Sequence, residues 1–388
     1  MGLGAPPART QRPALLAALA LTLLLAGAHP AVGTAHRWAE LPGAATPVSV
    51  GGPDGDAVAT PTDVTFLSVD GDPIVTLVPA PAGAETIYAV GEAELYRTPD
   101  GGQTWEAAGP LPPPGKLVAA QDSPLLLLAG SHPPCARGGG EDVNLSRSED
   151  GGATWRPVPG EIGVEPLAIW HEAEVAIGAD CAGLRVSLDM GLTWDEFPVL
   201  PPGSEVTAFA PLATGDPGQP AALLATTSEG GTSRLFRLDL ADPANPVLSD
   251  PLIEYWGLGS LSGDGDRYVL GAATGVWLSD DEGATWTRHR DGLEAVTISV
   301  DPLVATEPIP DEELQRGFGI DAVAADPALP DHLYAGTIGG FYASTDAGAT
   351  WQQVEGVEGR VTTVVLAPTG GRVFAQTETG VAVVPLQD

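Results

Sequence analysis

An eight-residue pattern that occurs five times is the feature that most constrains how this chain can fold. Each copy reads Ser/Thr-x-Asp-x-Gly-x-Thr-Trp, and the copies begin at Thr98, Ser148, Ser187, Ser279 and Ser344. The interval between the third and fourth copies is long enough for two units, which indicates that one unit has lost its pattern. Repeats of about 20–50 residues are typical of solenoids, propellers and arrays, so we expect one repeated structural unit along the chain.

The residue types of this pattern, which we call the box turn, suit a tight hairpin. A carboxylate can accept hydrogen bonds from the hydroxyl and N–H groups of its own turn. Glycine permits a positive φ, and tryptophan places a large apolar surface between neighbouring elements. We therefore expect structural rather than catalytic roles for Asp100, Gly102, Trp105, Asp150, Gly152, Trp155, Asp189, Gly191, Trp194, Asp281, Gly283, Trp286, Asp346, Gly348 and Trp351.

Short strand-like runs recur in the same order around each box turn. Near the fifth copy, Val323–Ala325, His332–Gly336 and Gly340–Ser344 precede the turn and Thr350–Val354 follows it. Four such strands in about 40 residues make one blade of a β-propeller. The same order predicts blades at 74–110, 116–160, 161–200, 253–293 and 319–356, and a blade with an eroded turn at Leu238–Asp242 within 203–252.

The two ends of the chain are expected to share one blade. Arg360–Val384 contains three strand-like runs and lacks a fourth. His36–Gly43 has a Trp-x-x-Leu-x-Gly pattern similar to the strand after the fifth box turn, and pairing it here would satisfy two open sheet edges. The sequence thus predicts an all-β fold, a single seven-bladed β-propeller whose last blade is closed by the N-terminal strand, with six or eight blades as alternatives.

The box turn resembles the repeat of the Asp-box propellers, also called bacterial-neuraminidase repeats. That superfamily includes sialidases, xyloglucan-cleaving glycoside hydrolases, sortilin-type receptors and exported photosystem II stability/assembly factors. In layout, the chain is most similar to the assembly factors and the sialidase-like repeat proteins. The resemblance implies the propeller fold, but it does not imply one activity, because a single fold hosts many functions.

Two functional hypotheses follow from the resemblance. The first is an exported, non-enzymatic propeller that binds a protein or glycan partner as a scaffold. The second is a sialidase-like or other glycoside hydrolase or lyase. Sialidases carry a Phe/Tyr-Arg-Ile/Leu-Pro motif, and the nearest string here is Tyr96–Pro99. Because Arg97 lies on the strand before a box turn and Thr98 replaces the Ile or Leu, the first hypothesis is favoured and no catalytic residue is assigned.

The charge balance excludes one class of partner. The formal net charge is −34, with 17 Lys and Arg against 51 Asp and Glu. Such a surface repels phosphate backbones, so we expect no nucleic-acid partner. Cationic partners and divalent metal ions are compatible with it.

The N-terminus has the pattern of an export signal. Arg9 and Arg12 precede the apolar run Ala14–Ala28, which ends in a small-x-small sequence. We expect residues 1–28 to be a signal peptide, with cleavage as late as residue 35 or retention as an anchor as alternatives, and residues 36–388 to form the propeller. A membrane span needs about 20 consecutive apolar residues, and no later run is that long. The expected product is a monomer that is secreted or held in the periplasm or cell envelope.

Three long connections are candidates for function. They are Val48–Pro73, Ser131–Asn144 and Asp291–Gly319. All three are predicted on the face that carries the links between blades and the turns between second and third strands, which we call the loop face. Because function concentrates in such loops, we assign candidate partner-binding residues to the third connection: Asp311, Glu312, Glu313 and Arg316.

The cysteines and the paired aspartates suggest two further features. Cys135 and Cys181 are the only cysteines, and they fall in equivalent turns of adjacent blades, so a disulfide is predicted in an oxidising compartment. No cofactor is predicted. Asp-Gly-Asp pairs are weak Ca²⁺ candidates because hard cations bind clustered oxygens, although neither extends to the full calcium-loop pattern; these aspartates are Asp54, Asp56, Asp70 and Asp72.

Overall fold

The computed structural model describes residues 64–78, 86–132, 143–197, 200, 204–212, 220–228, 232–301, 308–367 and 371–386. Within these ranges the chain forms seven small antiparallel sheets and one short helix. The sheets are the blades of a seven-bladed β-propeller. The predicted fold class is therefore confirmed.

The strands of the first three blades follow one another along the chain. In order they are β1 (Thr65–Phe66), β2 (Ser68–Val69), β3 (Asp72–Val78), β4 (Ile87–Gly91), β5 (Glu94–Thr98), β6 (Glu106–Pro110), β7 (Lys116–Ala120), β8 (Ser123–Gly130), β9 (Asn144–Ser148), β10 (Arg156–Ile162), β11 (Glu165–Trp170), β12 (Val175–Asp180), β13 (Gly183–Ser187) and β14 (Asp195–Phe197). Blade I contains β2–β6, blade II β7–β10 and blade III β11–β14.

The remaining strands complete the ring. They are β15 (Ser204–Leu212), β16 (Ala221–Ser228), β17 (Thr232–Asp239), β18 (Val247–Leu248), β19 (Ile253–Trp256), β20 (Leu258–Asp264), β21 (Arg267–Ala272), β22 (Gly275–Ser279), β23 (Thr287–His289), then helix α1 (Asp311–Arg316), then β24 (Ile320–Ala325), β25 (Leu333–Thr337), β26 (Gly340–Ser344), β27 (Gln352–Gln353), β28 (Val361–Leu366), β29 (Arg372–Thr377) and β30 (Gly380–Pro385). Blade IV contains β15–β19, blade V β20–β23, blade VI β24–β27 and blade VII β28–β30 with β1.

Blade VII is built from both ends of the described chain. β1 pairs antiparallel with β30, and Thr65 lies opposite Val383. This pairing confirms that an N-terminal strand closes the last blade. The closing strand is Thr65–Phe66, whereas the expected segment, His36–Gly43, lies outside the described residues.

Blade IV lacks a box turn, and its end differs from the prediction. The turn after β17 is held by Asp239, whose carboxylate accepts a hydrogen bond from the Ala241 N–H at 2.8 Å. The fourth strand is divided, because β18 pairs with one end of β17 and β19 pairs with the other. Residues 253–256 therefore belong to blade IV, and their predicted assignment to the next blade was wrong.

The inner strands are β3, β7, β11, β15, β20, β24 and β28, and neighbouring inner strands contact one another around most of the ring. In six of the seven blades the inner strand has a register shift close to its first residue. In blade VI, for example, the shift falls between Ile320 and Ala322. Such a bulge twists a strand and redirects its side chains, so these shifts shape the loop-face end of the ring.

Every box turn joins a third strand to a fourth strand through the same hydrogen bonds. Asp100 Oδ1 accepts from the Thr98 hydroxyl and from the Thr104 N–H, both at 2.8 Å, and Oδ2 accepts from the Thr104 hydroxyl at 2.6 Å. The Gly102 N–H donates to the Thr98 hydroxyl oxygen at 2.7 Å. Equivalent bonds form around Asp150, Asp189, Asp281 and Asp346.

These bonds favour the ionised form of the box carboxylates. The hydroxyl and the N–H of Thr104 lower the pKa of Asp100 to about 2. Thr154 lowers the pKa of Asp150 to about 2 in the same way. Each carboxylate therefore acts as a charged acceptor inside its own turn.

The box glycine also fixes how closely neighbouring blades approach. A Cβ atom on Gly152 would lie 2.3 Å from Cδ2 of Leu95 in blade I, and one on Gly102 would lie 2.5 Å from Cζ of Phe374 in blade VII. The same contact with the preceding blade recurs for Gly191 on Leu128, Gly283 on Leu223 and Gly348 on Leu278. Because these partner side chains are buried, each box turn is an interblade contact as well as a hairpin.

We predict that Gly152→Ala destabilises the propeller more than Gly160→Ala. Both glycines lie in blade II and have similar φ values, +95° and +85°, but a Cβ on Gly160 would meet nothing within 4 Å. The strained backbone should cost about 1 kcal/mol at either position. The clash with Leu95 should add about 1–3 kcal/mol for Gly152→Ala. Urea unfolding of the two variants measures the difference, and equal losses would show that the box glycine does not set the blade spacing.

Candidate functional site

The loop-face end of the ring is the candidate site, because propellers bind ligands around the mouth of the central channel. The residues that begin the inner strands, or lie just before them, surround this mouth. Among the described residues they include Lys116, Glu165, Glu205, Trp256, Phe318 and Arg360. We call this set the mouth residues. They differ in chemistry from blade to blade, unlike the box turns on the opposite face.

Two ion pairs at the mouth join neighbouring blades. Arg360 binds the Asp321 carboxylate through two hydrogen bonds, Nε to Oδ2 at 2.7 Å and Nη2 to Oδ1 at 2.8 Å, between blades VII and VI. The hydrogen bonds that Arg360 donates to the Asp321 carboxylate raise the pKa of Arg360. Lys116 Nζ lies 3.5 Å from Glu165 Oε1, between blades II and III. These charges satisfy each other, so their first role is to hold inner strands together.

Two aromatic mouth residues, Trp256 at the end of blade IV and Phe318 just before blade VI, form a contiguous apolar surface. The ring centroids of Trp256 and Phe318 are 5.6 Å apart at an interplanar angle of 48°, and both side chains are partly exposed. Ile338 extends this surface, since its side chain is 36% exposed and its Cδ1 lies 3.0 Å from a Cβ built on Gly317. The surface lies where the inner strands of blades V and VI begin.

Short glycine links hold the two rings in place. The Ala273 N–H donates to the Gly257 carbonyl at 3.1 Å, directly after Trp256. The Gly319 N–H donates to the Val296 carbonyl at 2.9 Å, directly after Phe318. The backbone next to each ring is therefore fixed by a hydrogen bond to another loop-face segment.

The connection between blades V and VI packs onto the loop face. Its Leu293 and Val296 are buried in the same hydrophobic cluster as β24 residues. Glu313 on α1 is 6% exposed, and its Oε2 accepts from the Ser299 N–H at 2.9 Å and from the Ser299 hydroxyl at 3.2 Å. Arg290 Nη2 lies 4.0 Å from the other carboxylate oxygen. The described part of this connection is thus a folded structure.

In this folded connection, the four residues predicted to contact a partner have different environments. Asp311 and Glu312 are exposed on the first turn of α1, and neither forms an ion pair in the described part of the chain. Glu313 corrects the expectation, because it is buried inside the connection and its carboxylate is already bound there. Arg316 ends the helix.

Asp72, a weak metal candidate, uses its carboxylate in a turn. It accepts hydrogen bonds from the Glu92 N–H at 3.0 Å, the Ala93 N–H at 3.1 Å and the Tyr96 hydroxyl at 3.0 Å. Desolvation of the carboxylate acts to raise the pKa of Asp72. The hydrogen bonds that it accepts, of which that from Ala93 has the largest effect, lower the pKa below its ordinary value. Desolvation and the bond to Asp72 raise the pKa of Tyr96 to about 12. Three hydrogen-bond donors of the protein therefore surround the Asp72 carboxylate.

The other metal and disulfide candidates are only partly described. Asp70 has a φ of +52° in the turn between β2 and β3, while Asp54 and Asp56 lie outside the described residues. The described part of the chain contains no group of three or more side chains that could hold a metal ion. Cys181 lies in the loop-face turn after β12, but Cys135 lies outside the described residues, so their disulfide stays a prediction.

Arg97, the nearest match to a sialidase arginine, lies beside the first box turn. Its Nε is 2.7 Å from Glu106 Oε1, and together with Tyr88 and Leu125 it lines a cavity of about 180 Å³. Several other described arginines pair with carboxylates within or between blades, for example Arg185 with Asp180 and Arg234 with Glu254.

Among the residues that the structure describes, no helix is both long enough and apolar enough to cross a bilayer.

Comparisons with known proteins support the fold. A scan against protein-family models found no match, and a search of curated proteins also found none. Among solved structures, the chain is similar to a protein described as the extracellular domain of a one-component system from B. thetaiotaomicron, with a TM-score of 0.53 and 11% sequence identity. The similarity covers 84% of this chain and 40% of that chain, so this chain spans less than half of that protein's length. At this identity the likeness concerns the fold alone, and the resemblance to the Asp-box propellers rests on the repeats.

The aromatic surface at the mouth was missed by the sequence analysis. A signal was present, because Trp256-Gly257-Leu258 and Phe318-Gly319-Ile320 share the order aromatic, glycine, aliphatic at the start of consecutive inner strands. The correspondence was not recognised because the long connection between blades V and VI separates Phe318 from blade V. Only the packing of that connection brings the two rings together.

We predict that Glu313→Ala loosens the connection between blades V and VI, whereas Glu312→Ala does not. Loss of the buried carboxylate leaves the Ser299 N–H and hydroxyl without their acceptor and removes the ion pair with Arg290, which should cost about 1–3 kcal/mol locally. Glu312 is the matched control, because it is the exposed neighbour on the same helix. Hydrogen exchange should accelerate across residues 293–299 in the first variant only. Unchanged exchange would show that Glu313 does not organise this connection.

Proposed function

We propose that this chain is an exported, non-enzymatic propeller that binds a protein or glycan partner through its loop face. The observation that carries the proposal is the described part of the connection between blades V and VI, which packs onto that face next to the mouth. By contrast, the link between blades IV and V is the single residue Gly257. A long connection that is folded against a rigid scaffold is typical of a binding surface.

Three sequence features support export. The first 28 residues have a basic segment, an apolar run and a small-x-small ending. Two cysteines in adjacent blades are compatible with a disulfide formed in an oxidising compartment. The strongly acidic composition suits a protein that stays soluble and monomeric outside the cytoplasm. We therefore place the propeller in the periplasm, in the cell envelope or outside the cell.

The use of charged side chains supports a binding role over a catalytic one. The box aspartates accept hydrogen bonds inside their turns, and Arg97, the residue nearest to a sialidase motif, pairs with Glu106. At the mouth, Arg360 and Lys116 pair with carboxylates of the next blade. A glycoside hydrolase is the alternative, and it would need a pair of carboxylates about 5–10 Å apart beside the sugar.

We predict that Ile338→Arg abolishes partner capture and that Leu125→Arg does not. Both are exposed apolar side chains, at 36% and 46%, but Ile338 lies on the loop face and Leu125 lies beside a box turn. An arginine at the centre of the proposed surface adds bulk and charge where a partner docks. Wild-type protein and both variants are used as bait for the envelope fraction of the source organism and on a glycan array.

The result that supports the proposal is a protein or glycan held by the wild type and by Leu125→Arg but lost with Ile338→Arg. Equal capture by all three proteins would place binding elsewhere and contradict the proposal. Hydrolysis of sialosides or β-glucans by the wild type would favour the glycosidase alternative.

A further inference from the structure

The aromatic surface at the mouth has a regular structural origin. Trp256 and Phe318 each lie two residues before an inner strand, that of blade V and that of blade VI. Each is followed by a glycine with a positive φ, +70° at Gly257 and +155° at Gly319. Their rings are tilted by 48° with centroids 5.6 Å apart, so they form an apolar corner instead of a stacked pair. Partly exposed aromatic rings on a rigid frame present π faces to a ligand.

Exposed acidic residues flank this corner. Glu205, in β15, is exposed, and the Thr207 hydroxyl donates to the Leu258 carbonyl at 2.9 Å, which brings the start of β15 beside the start of β20. Asp311 and Glu312 are exposed on α1, in the connection that leads to Phe318. None of these three carboxylates forms an ion pair within the described ranges.

We propose that Trp256 and Phe318 bind the cationic side chains of an arginine- or lysine-rich segment of a partner protein. This inference rests on the proposed binding function and specifies its partner. A cation over an aromatic face is attracted by the ring quadrupole, and arginine also stacks on such rings through its planar guanidinium. The flanking carboxylates and the net charge of −34 attract the same partner from a distance.

The charge argument favours a basic peptide over a glycan. A neutral glycan could stack on the rings and donate hydroxyl hydrogen bonds to the exposed carboxylates, but it would gain nothing from the net charge of −34. An acidic glycan would be repelled by them. A basic segment is the ligand for which the aromatic faces and the surrounding charge act together.

The test uses a fluorescein-labelled peptide of alternating arginine and glycine and measures fluorescence anisotropy at about 150 mM salt, where long-range attraction is screened. The double variant Trp256→Leu with Phe318→Leu removes the π faces but keeps apolar side chains. We expect its affinity to fall about tenfold, as for the loss of partly desolvated cation–π contacts. Trp105→Leu is the matched control, because this tryptophan follows a box turn in blade I, and it should bind like the wild type.

A second set of variants separates the rings from the charges. Glu205→Gln with Asp311→Asn and Glu312→Gln should weaken binding at low salt and have little effect at high salt. Circular dichroism confirms folding, and Phe318→Leu alone replaces the double variant if that protein does not fold.

Two results would overturn the inference. One is unchanged affinity of the ring variant for the arginine peptide. The other is a wild-type protein that binds neutral oligosaccharides but not the peptide, an outcome that leaves the proposed loop-face binding function intact. Failure of the proposed function is a separate result, because it requires that Ile338→Arg and Leu125→Arg capture the same partners as the wild type.

Discussion

The architecture depends on the box-turn aspartates, one in each of five blades, whose carboxylates close their own turns. In the first of them, Asp100 accepts hydrogen bonds from both ends of its own box turn, and Gly102 packs on Phe374 of the preceding blade. A local hydrogen-bond network thus fixes a hairpin, and the hairpin fixes the spacing of two sheets. Because a propeller closes only if its blades repeat at a constant angle, a rigid interblade turn at most junctions supplies the regularity that a closed ring requires.

The sequence predicted those parts of the fold that depend on local chemistry. Ser/Thr, Asp, Gly and Trp at constant spacing identify the box turns, and the strand runs around them define the blades. Non-local pairing was harder to predict. β19 looks like the start of blade V but pairs with β17, and the strand seen to pair with β30 is Thr65–Phe66, which was not predicted. Such choices depend on register between distant segments, which short apolar runs do not encode.

In the candidate site, too, local features were predicted from the sequence and contacts between distant segments were not. Acidic residues on α1 were identified by their position in a long connection, but the burial of Glu313 against Ser299 depends on how that connection folds back. The pairing of Trp256 with Phe318 depends on contact between two blades across this connection. The two faces thus differ: the box turns maintain the ring, while the loop face varies in chemistry from blade to blade and is the proposed binding surface.

The pKa of Asp100, measured by NMR titration of its carboxyl carbon, tests most directly whether the box carboxylates hold the turns as charged acceptors. The account predicts a pKa of about 2, below the ordinary value of 3.8, and Asp150 should behave alike. Because the folded-state value is lowered, the stabilisation is complete above the unfolded pKa and is lost as the pH falls from about 4 towards 2. Thr104→Val, which removes one donor, should raise the value. A pKa near 3.8 that does not respond to Thr104→Val would contradict the account.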